Sequence, residues 1–263
     1  MGCHLQHIEY EIKDYVGVLT IDRPPVNALN SDLVAEIGQA AGQVERDGQA
    51  GVVRCVIITS RGKYFSAGAD LKERMGMAEE EVASAVANIG AAVNRLARIS
   101  VPTIAAMQGS AFGGGFEVAL AADLRVIVDG AQVGLRETAL AIIPGAGGTQ
   151  RLTRLVGPSN AIYWITSARL FSAPEALAHG AVNFVVPETD LMPKALEIAT
   201  EIAANGPLAV RQAKRAIVAG LALDPEAGLK LEFECYQRII PTSDRLEGLN
   251  AFKEKRKPKY AGK

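Results

Sequence analysis

The 263-residue sequence predicts an α/β protein with a β/α core followed by a helical C-terminal region. Three observations support this fold class. Aliphatic and β-branched runs typical of strands alternate with stretches of helical periodicity between residues 8 and 128. From about residue 159 the helical pattern repeats, with only one short extended segment at 182–186. No Pro/Gly/Ser-rich linker and no repeat of fixed period divides the chain.

The first elements are a hairpin and an amphipathic helix. Apolar and polar residues alternate at 8–12 and again at 16–20, which predicts two strands joined by a turn. Ser31 is the expected N-cap of the following helix, which we expect to end at 47–48. The apolar residues at helical spacing, which predict its buried face, are Leu33, Val34, Ile37, Ala41 and Val44.

Strands and helices then alternate along the chain. A nearly continuous aliphatic run predicts a strand at 52–59 that is covered on both faces. The next elements are expected in the order helix, strand, helix, strand, at 79–99, 101–107, 114–122 and 124–128. Strands separated by helices predict right-handed crossovers and parallel pairing. The last helix is expected at 244–256, and its basic end fits either a solvated helix terminus or an anion-binding role.

Composition argues against several classes of protein. Lysine and arginine number 28 against 29 acidic residues, so the chain lacks the basic excess of nucleic-acid-binding proteins. Cys3, Cys55 and Cys235 lie far apart and the three histidines are scattered, so we expect reduced thiols and no metal site. No apolar run reaches the roughly 18 residues of a membrane span, and no signal peptide is evident. We therefore expect a cytoplasmic protein without a membrane or nucleic-acid partner.

Three unusual segments are the candidates for an active site. The chain has no G-x-S-x-G elbow, no Walker A motif and no complete dinucleotide fingerprint. The unusual segments are 65–71, 113–117 and 137–150, and each follows a predicted strand. Because the carboxyl ends of parallel strands meet at one edge of a sheet, these segments could converge on one ligand.

The glycine run at 113–115 predicts a backbone donor site. Glycines before a helix allow close approach of a ligand and leave the first amides unpaired, although they also permit close helix packing. If the Ala69 amide faces that of Gly114, the two form an oxyanion hole. Glu117 and Glu137 are each compatible with a purely structural or surface position. Beside an oxyanion hole, however, two carboxyls could divide acid and base roles.

These segments resemble the enoyl-CoA hydratase family of the crotonase superfamily. The likeness rests on FSAGADLKER at 65–74, GGGFE at 113–117, IPGAGGTQRL at 143–152 and the terminal run at 244–256. Several strings are most similar to the AU-binding methylglutaconyl-CoA hydratase branch. The resemblance implies a crotonase (ClpP-like) fold of repeated ββα units forming a β-spiral. It also implies a core at 1–195 and a C-terminal helical region at 196–263 that forms a homotrimer, or a homohexamer, and completes the CoA site.

The resemblance further implies the reaction and its residues. The substrate would be a trans-2-enoyl-CoA, hydrated without metal or cofactor, with a short or methyl-branched acyl group such as 3-methylglutaconyl from leucine degradation. A processed eukaryotic form would lie in the mitochondrial matrix. The catalytic residues would be Glu117 and Glu137, and the oxyanion-hole amides those of Ala69 and Gly114. The CoA contacts would be Ala67, Ala69, Asp70, Leu71, Lys72, Phe252 and Lys255. The acyl pocket would include Phe112, Pro144 and Gly145.

Some residues depart from the family pattern. Pro25 follows Arg23-Pro24 where relatives often have a phosphate-binding lysine, and Arg136 is unusual directly before Glu137. The stretch at 31–49 lacks the lysines that some branch members use to bind RNA, which argues against an RNA role. The nearest rival is an enoyl-CoA isomerase, or another acyl-CoA enzyme of the same fold such as a lyase or dehalogenase, because one scaffold serves several reactions. The presence of both carboxylates favours hydration, since a typical isomerase keeps only one of them.

Overall fold

The structure is a computed structural model that describes residues 2–263, with side chains from His4 onward. The strands are Gly2–His4 (β1), Ile8–Lys13 (β2), Val16–Ile21 (β3), Cys55–Ser60 (β4), Tyr64–Ser66 (β5), Thr103–Met107 (β6), Ser110–Phe112 (β7), Leu124–Val128 (β8), Gln132–Gly134 (β9), Phe171–Ser172 (β10) and Phe184–Val186 (β11). The α-helices are Ser31–Gln49 (α1), Leu71–Met75 (α2), Glu79–Ala97 (α3), Gly114–Ala121 (α4), Gly148–Val156 (α5), Pro158–Thr166 (α6), Ala173–Ala178 (α7), Leu191–Ala203 (α8), Pro207–Gly220 (α9), Pro225–Gln237 (α10) and Ser243–Lys253 (α11). The thiol of Cys3 lies outside the described side chains.

The larger sheet has seven strands in the order β1-β2-β3-β4-β6-β8-β11 within residues 2–263. Strands β2 and β3 form the predicted antiparallel hairpin, in which Tyr10 lies opposite Leu19. From β3 onward the neighbouring strands are parallel. The predicted parallel pairing is therefore confirmed.

A smaller sheet of four short strands, in the order β10-β9-β7-β5, lies beside the larger one. Strands β5, β7 and β9 directly follow β4, β6 and β8, and helical segments follow each pair. This repetition is the ββα spiral that the family resemblance implies. The periodicity of the sequence did not reveal the second sheet, because strands of two or three residues are too short to show alternation.

The core forms where the predicted apolar faces meet. All six residues of β4 are buried, as expected of a strand covered on both sides. Helix α1 packs against α3, and α8 packs across β3, β4, β6 and β8. The predicted buried face of α1 is confirmed, since Leu33, Val34, Ile37, Ala41 and Val44 are all buried.

Several element boundaries differ from the predictions. Asn30, not Ser31, caps α1, because its side chain accepts a hydrogen bond from the Leu33 amide. This helix continues to Gln49, past the expected stop at 47–48. Strand β4 begins at Cys55, where pairing with β3 begins, rather than at residue 52. The last helix ends at Lys253 and not at 256.

The C-terminal helices are tied to the core by polar contacts. Lys214 of α9 forms an ion pair with Asp123 and donates to the Val101 carbonyl. Arg54 donates to the carbonyls of Ala203 and Tyr260. Helices α9 to α11 nevertheless leave large apolar side chains exposed, namely Ile217, Val218, Leu229, Phe233, Tyr236, Leu246, Leu249 and Phe252. This region therefore presents an uncovered apolar surface in the single chain.

Candidate active site

A cleft of about 660 Å³ opens at the edge where the three unusual segments converge. One wall is formed by residues 23–26 and 67–72, and the other by 112–114 together with Arg136 and Glu137. Ala69, Gly114 and Glu137, which the sequence places far apart, share this cleft. The predicted convergence of these segments is confirmed.

Two backbone amides in the cleft are free to bind an oxygen atom. Neither the Ala69 amide nor the Gly114 amide donates a hydrogen bond to a group of residues 2–263. The Ala69 nitrogen lies 3.7 Å from the position that a Cβ on Gly114 would take, so the two segments are in close contact. This contact depends on Gly68, whose own Cβ would lie 2.7 Å from the Phe112 carbonyl oxygen. Two unpaired amides on segments in close contact form the type of donor pair that stabilises a developing oxyanion.

Gly113 supplies the turn that brings the second amide into the cleft. Its φ of +50° lies in the left-handed region that side chains disfavour. A Cβ at this position would lie 2.8 Å from the Glu137 Oε1 atom. The glycine is therefore required both by the backbone conformation and by the carboxyl that packs against it.

Glu117 lies in the first turn of α4 and is 2% exposed. Its Oε1 atom accepts hydrogen bonds from the amides of Ala146 and Gly148, at 2.8 and 2.7 Å. Burial raises the pKa of this carboxyl, while the two amide hydrogen bonds and the charge of Arg151 oppose the rise. Glu117 does not itself line the cleft surface, but it lies one turn into the helix that begins at Gly114.

Glu137 begins a short 3-10 helix that spans Glu137–Leu140. Its Oε2 atom is buried and has no hydrogen-bond partner within the described chain. Burial is the main cause that raises the pKa of this carboxyl to about 7, and the nearby charge of Glu117 raises it further. The two carboxyls therefore interact, and at neutral pH Glu137 can hold a proton that it is able to release.

Comparison with known proteins identifies the family. Residues 11–263 match the family described as enoyl-CoA hydratase/isomerase. The chain belongs to this family. Human mitochondrial methylglutaconyl-CoA hydratase is 46% identical over 264 residues, covering 98% of this chain and 77% of that protein. The putative enoyl-CoA hydratase/isomerase YngF of Bacillus subtilis is 47% identical over 251 residues, 95% of either chain. A crystal structure of enoyl-CoA hydratase from Bacillus anthracis has a TM-score of 0.94 at 46% identity, covering 98% of this chain and 100% of that one.

These similarities confirm the crotonase α/β fold and place the protein among the enzymes of the enoyl-CoA hydratase family, in the hydro-lyase class. The sequence resemblance to methylglutaconyl-CoA hydratase is likewise confirmed. No helix within residues 2–263 is both long enough and apolar enough to cross a membrane. One group of potential metal ligands, His4, Glu9 and Glu11, lies on the N-terminal strands and does not line the cleft.

The residues expected to contact CoA fall into two groups. Those at 67–72 line the cleft, and Asp70 there is already engaged as the cap of α2 and in an ion pair with Arg23 at 3.0 Å. Phe252 lies in the last turn of α11 and Lys255 just after that helix. Neither residue lines the cleft, and Phe252 is 87% exposed. Within a single chain, Phe252 and Lys255 therefore do not join the residues at 67–72 in the cleft.

The residues expected at the acyl pocket lie in two places. Phe112 lines the cleft, but Pro144 and Gly145 do not. Gly145 packs against α3, where a Cβ added to it would lie 2.5 Å from Val86. Pro144 packs beside Gly148, where a Cβ added to the glycine would lie 3.0 Å from the Pro144 Cβ atom.

Two features were missed by reasoning from the sequence. Arg151 contacts the loop that holds Glu117. Its position three residues after Gly148, in the first turns of the helix that follows the glycine-rich loop, is the signal that could have revealed it. A side cavity of about 340 Å³ lies between α1, α2 and α3 and shares Ala69 and Asp70 with the cleft. Arg74 lines this side cavity, and its guanidinium makes no hydrogen bond or ion pair within residues 2–263.

Proposed function

We propose that the protein catalyses the reversible syn addition of water to a trans-2-enoyl-CoA, giving a 3-hydroxyacyl-CoA. One observation carries the proposal. Two interacting carboxyls, Glu117 and Glu137, lie beside the unpaired amides of Ala69 and Gly114. Hydration of a conjugated thioester needs both parts, because negative charge develops on the thioester oxygen while one proton leaves water and another reaches carbon.

In the proposed mechanism the thioester oxygen accepts hydrogen bonds from the Ala69 and Gly114 amides. These donors stabilise the enolate that forms on attack at the β-carbon, and each contributes about 3 kcal/mol to such a transition state. Glu117 acts as the base that takes a proton from water as its oxygen bonds to the β-carbon. Glu137, whose pKa is raised to about 7, protonates the α-carbon and is suited to act as the donor near neutral pH.

The CoA moiety would serve as a binding handle. We assign residues 67–72 to contacts along the cleft. Phe252 and Lys255 would reach the nucleotide of a neighbouring subunit, which agrees with their distance from the cleft in their own chain. The apolar side chains exposed on α9 to α11 support a homotrimer or a homohexamer, with the active-site core at 1–195 and the assembling helices at 196–263. The mechanism requires neither a metal nor a redox cofactor.

For the acyl group we propose a short or methyl-branched chain, with 3-methylglutaconyl-CoA of leucine degradation as the first substrate to test. Identity of 46% to the human methylglutaconyl-CoA hydratase supports this choice. The side cavity supports it independently, because Arg74 is half-buried there without a partner in the described chain, beside the residue that would bind the carbonyl. A carboxylate at the distal end of an acyl chain would satisfy this cation.

Two alternatives to hydration are isomerisation and RNA binding. An enoyl-CoA isomerase shares the fold and the oxyanion hole, but the presence of both carboxyls favours hydration. RNA binding is not supported, because α1 carries no lysine. For location we propose the cytoplasm, or the mitochondrial matrix for a processed eukaryotic protein.

The decisive assay follows the conjugated-thioester absorbance of crotonyl-CoA. The wild-type protein should consume it, whereas Glu117→Gln should lower kcat by about a thousandfold with little change in KM. Glu188→Gln, a change at an exposed glutamate outside the cleft, serves as the matched control. Conversion of a β,γ-enoyl-CoA without hydration of crotonyl-CoA would contradict the proposal and indicate an isomerase. A parallel assay with 3-methylglutaconyl-CoA tests the finer assignment.

A further inference from the structure

We propose that Arg151 is a positioning residue, which fixes the loop at 144–148 and through it the orientation and charge of the Glu117 carboxylate. The kinetic consequence rests on the proposed hydration reaction. The effect on the carboxylate itself does not, because it follows from contacts within the chain. Arg151 does not line the cleft and is therefore separated from the reacting atoms.

The guanidinium of Arg151 joins two elements that would otherwise be independent. It projects from α5, where its Nη1 atom donates to the Ala146 carbonyl at 2.7 Å. Its Nη2 atom donates to the Asn94 side chain on α3. The planar fork of an arginine suits this two-point contact, which a lysine ammonium cannot reproduce with the same geometry. The loop is thereby held against α3.

The residue held by Arg151 also holds Glu117. Ala146 accepts from Arg151 through its carbonyl, while its amide donates to the Glu117 Oε1 atom. The Gly148 amide donates to the same oxygen. A shift of the loop would move both donors together, so the orientation of the carboxylate depends on the contact that fixes Ala146.

Two of the three glycines of the loop, Gly147 and Gly148, are explained by this arrangement. Gly147 has a φ of +100°, and a Cβ there would lie 2.2 Å from the Arg151 Nη1 atom. A Cβ on Gly148 would lie 2.9 Å from the Glu117 Oε1 atom. One glycine therefore admits the guanidinium and the next admits the carboxylate, so the loop is a thin backbone layer between two opposite charges.

The positive charge of Arg151 acts on Glu117 across the same backbone loop. The cation at Arg151 favours the ionised form of Glu117 and lowers its pKa, against the effect of burial. The charges that face Glu117 are this arginine from α5 and Glu137 from the 3-10 segment. The side of α3 that meets the arginine contributes the neutral amide of Asn94. Removal of the guanidinium would thus leave Glu117 facing only a group of its own sign.

The test compares three variants with the wild-type enzyme. Arg151→Gln removes the charge and the fork, Arg151→Lys keeps the charge, and Asn94→Ala removes one anchor while keeping the charge. Arg154→Gln is the matched control, because Arg154 lies on the same helix, is exposed, and bonds only to Gln150. Circular dichroism and thermal melting establish that each variant is folded.

Two readouts are measured. The first is the titration of Glu117 by ¹³C NMR of carboxyl-labelled protein, assigned with Glu117→Gln, and the second is kcat and KM for crotonyl-CoA against pH. Arg151→Gln should raise the titration midpoint of Glu117 and lower kcat about ten- to hundredfold, with KM changed less than about twofold. Arg151→Lys should restore the midpoint and part of kcat. Asn94→Ala should lower kcat with an unchanged midpoint.

The outcomes separate the two proposals. A folded Arg151→Gln variant with the wild-type midpoint and kcat would overturn the positioning role, as would an equal midpoint shift in Arg154→Gln. If Arg151→Gln does not fold, kcat of the other two variants decides the question, and a wild-type kcat in both Arg151→Lys and Asn94→Ala would overturn the positioning role. Absence of turnover in the wild type together with a shifted midpoint in Arg151→Gln would reject the hydratase reaction and leave the effect of Arg151 on Glu117 intact.

Discussion

Replacement of Glu137 by glutamine should stabilise the fold above pH 7. The Oε2 atom of this carboxyl is buried without a hydrogen-bond partner in the described chain. Burial, reinforced by the charge of Glu117, raises its pKa from 4.5 to about 7. Glutamine has nearly the shape of the protonated carboxyl but cannot ionise. The variant therefore lacks the negative charge that burial makes unfavourable at this position.

The size of the effect follows from proton linkage. A carboxyl whose pKa is raised in the folded state stabilises the fold below the unfolded pKa and loses this contribution as the pH rises through the folded pKa. For Glu137 the window therefore runs from 4.5 to about 7. The rise in pKa corresponds to roughly 3 kcal/mol. Because the residue is only partly buried, solvent screening reduces the expected gain of the variant to about 1–2 kcal/mol.

Urea denaturation at several pH values between about 5 and 8 measures this gain. The difference in unfolding free energy between Glu137→Gln and wild type should grow from about pH 5 to about 7, where the carboxyl is ionised in the unfolded chain but still protonated in the folded one. It should level off above about 7, where both states are ionised. Glu188→Gln, which alters an exposed glutamate, should show a constant difference. A constant difference for Glu137→Gln as well would refute the raised pKa, and with it the role of Glu137 as a proton donor at neutral pH.

Three further outcomes follow from the same structure. The kcat for hydration should fall as the pH rises through about 7, because Glu137 must be protonated to deliver its proton to the α-carbon. A pH–rate profile that is flat across this range would contradict this role of Glu137. Gly62→Ala should cost about 1 kcal/mol in thermal stability, because the residue has a positive φ but faces open space. Gly113→Ala should cost more than Gly62→Ala, because its Cβ would also meet the Glu137 carboxyl, and only this variant should lower kcat. Lys214→Met should destabilise the protein by about 1–2 kcal/mol in urea titrations, because it leaves the half-buried Asp123 without its ion-pair partner. An unchanged unfolding midpoint would show that the ion pair does not anchor α9.

Much of the fold could be read from local patterns. The hairpin, the buried face of α1 and the parallel strands were all predicted, because alternation and helical periodicity report which residues must leave water. Convergence of the segments that contain Ala69, Gly114 and Glu137 was also predictable. It follows from a topological rule, since parallel strands end at the same edge of a sheet.

Contacts between distant residues could not be read in this way. The amides that hold Glu117 belong to Ala146 and Gly148, and nothing local to α4 identifies them as its partners. Likewise, nothing in the local sequence shows that Pro144 packs beside Gly148 and Gly145 against α3. The path of a loop is decided by which of its amides find acceptors, and that depends on the elements packed around it.

The sequence by itself determined the order of the elements, the family and the residue types available for acid–base chemistry, because these depend on side-chain identity and short-range spacing. The tertiary structure alone decided that the Glu137 Oε2 atom is buried without a hydrogen-bond partner in the described chain. It also decided that Arg151 binds the loop whose amides hold Glu117. Burial and charge proximity set the protonation of both carboxyls, and both are properties of the surrounding space rather than of the chain order.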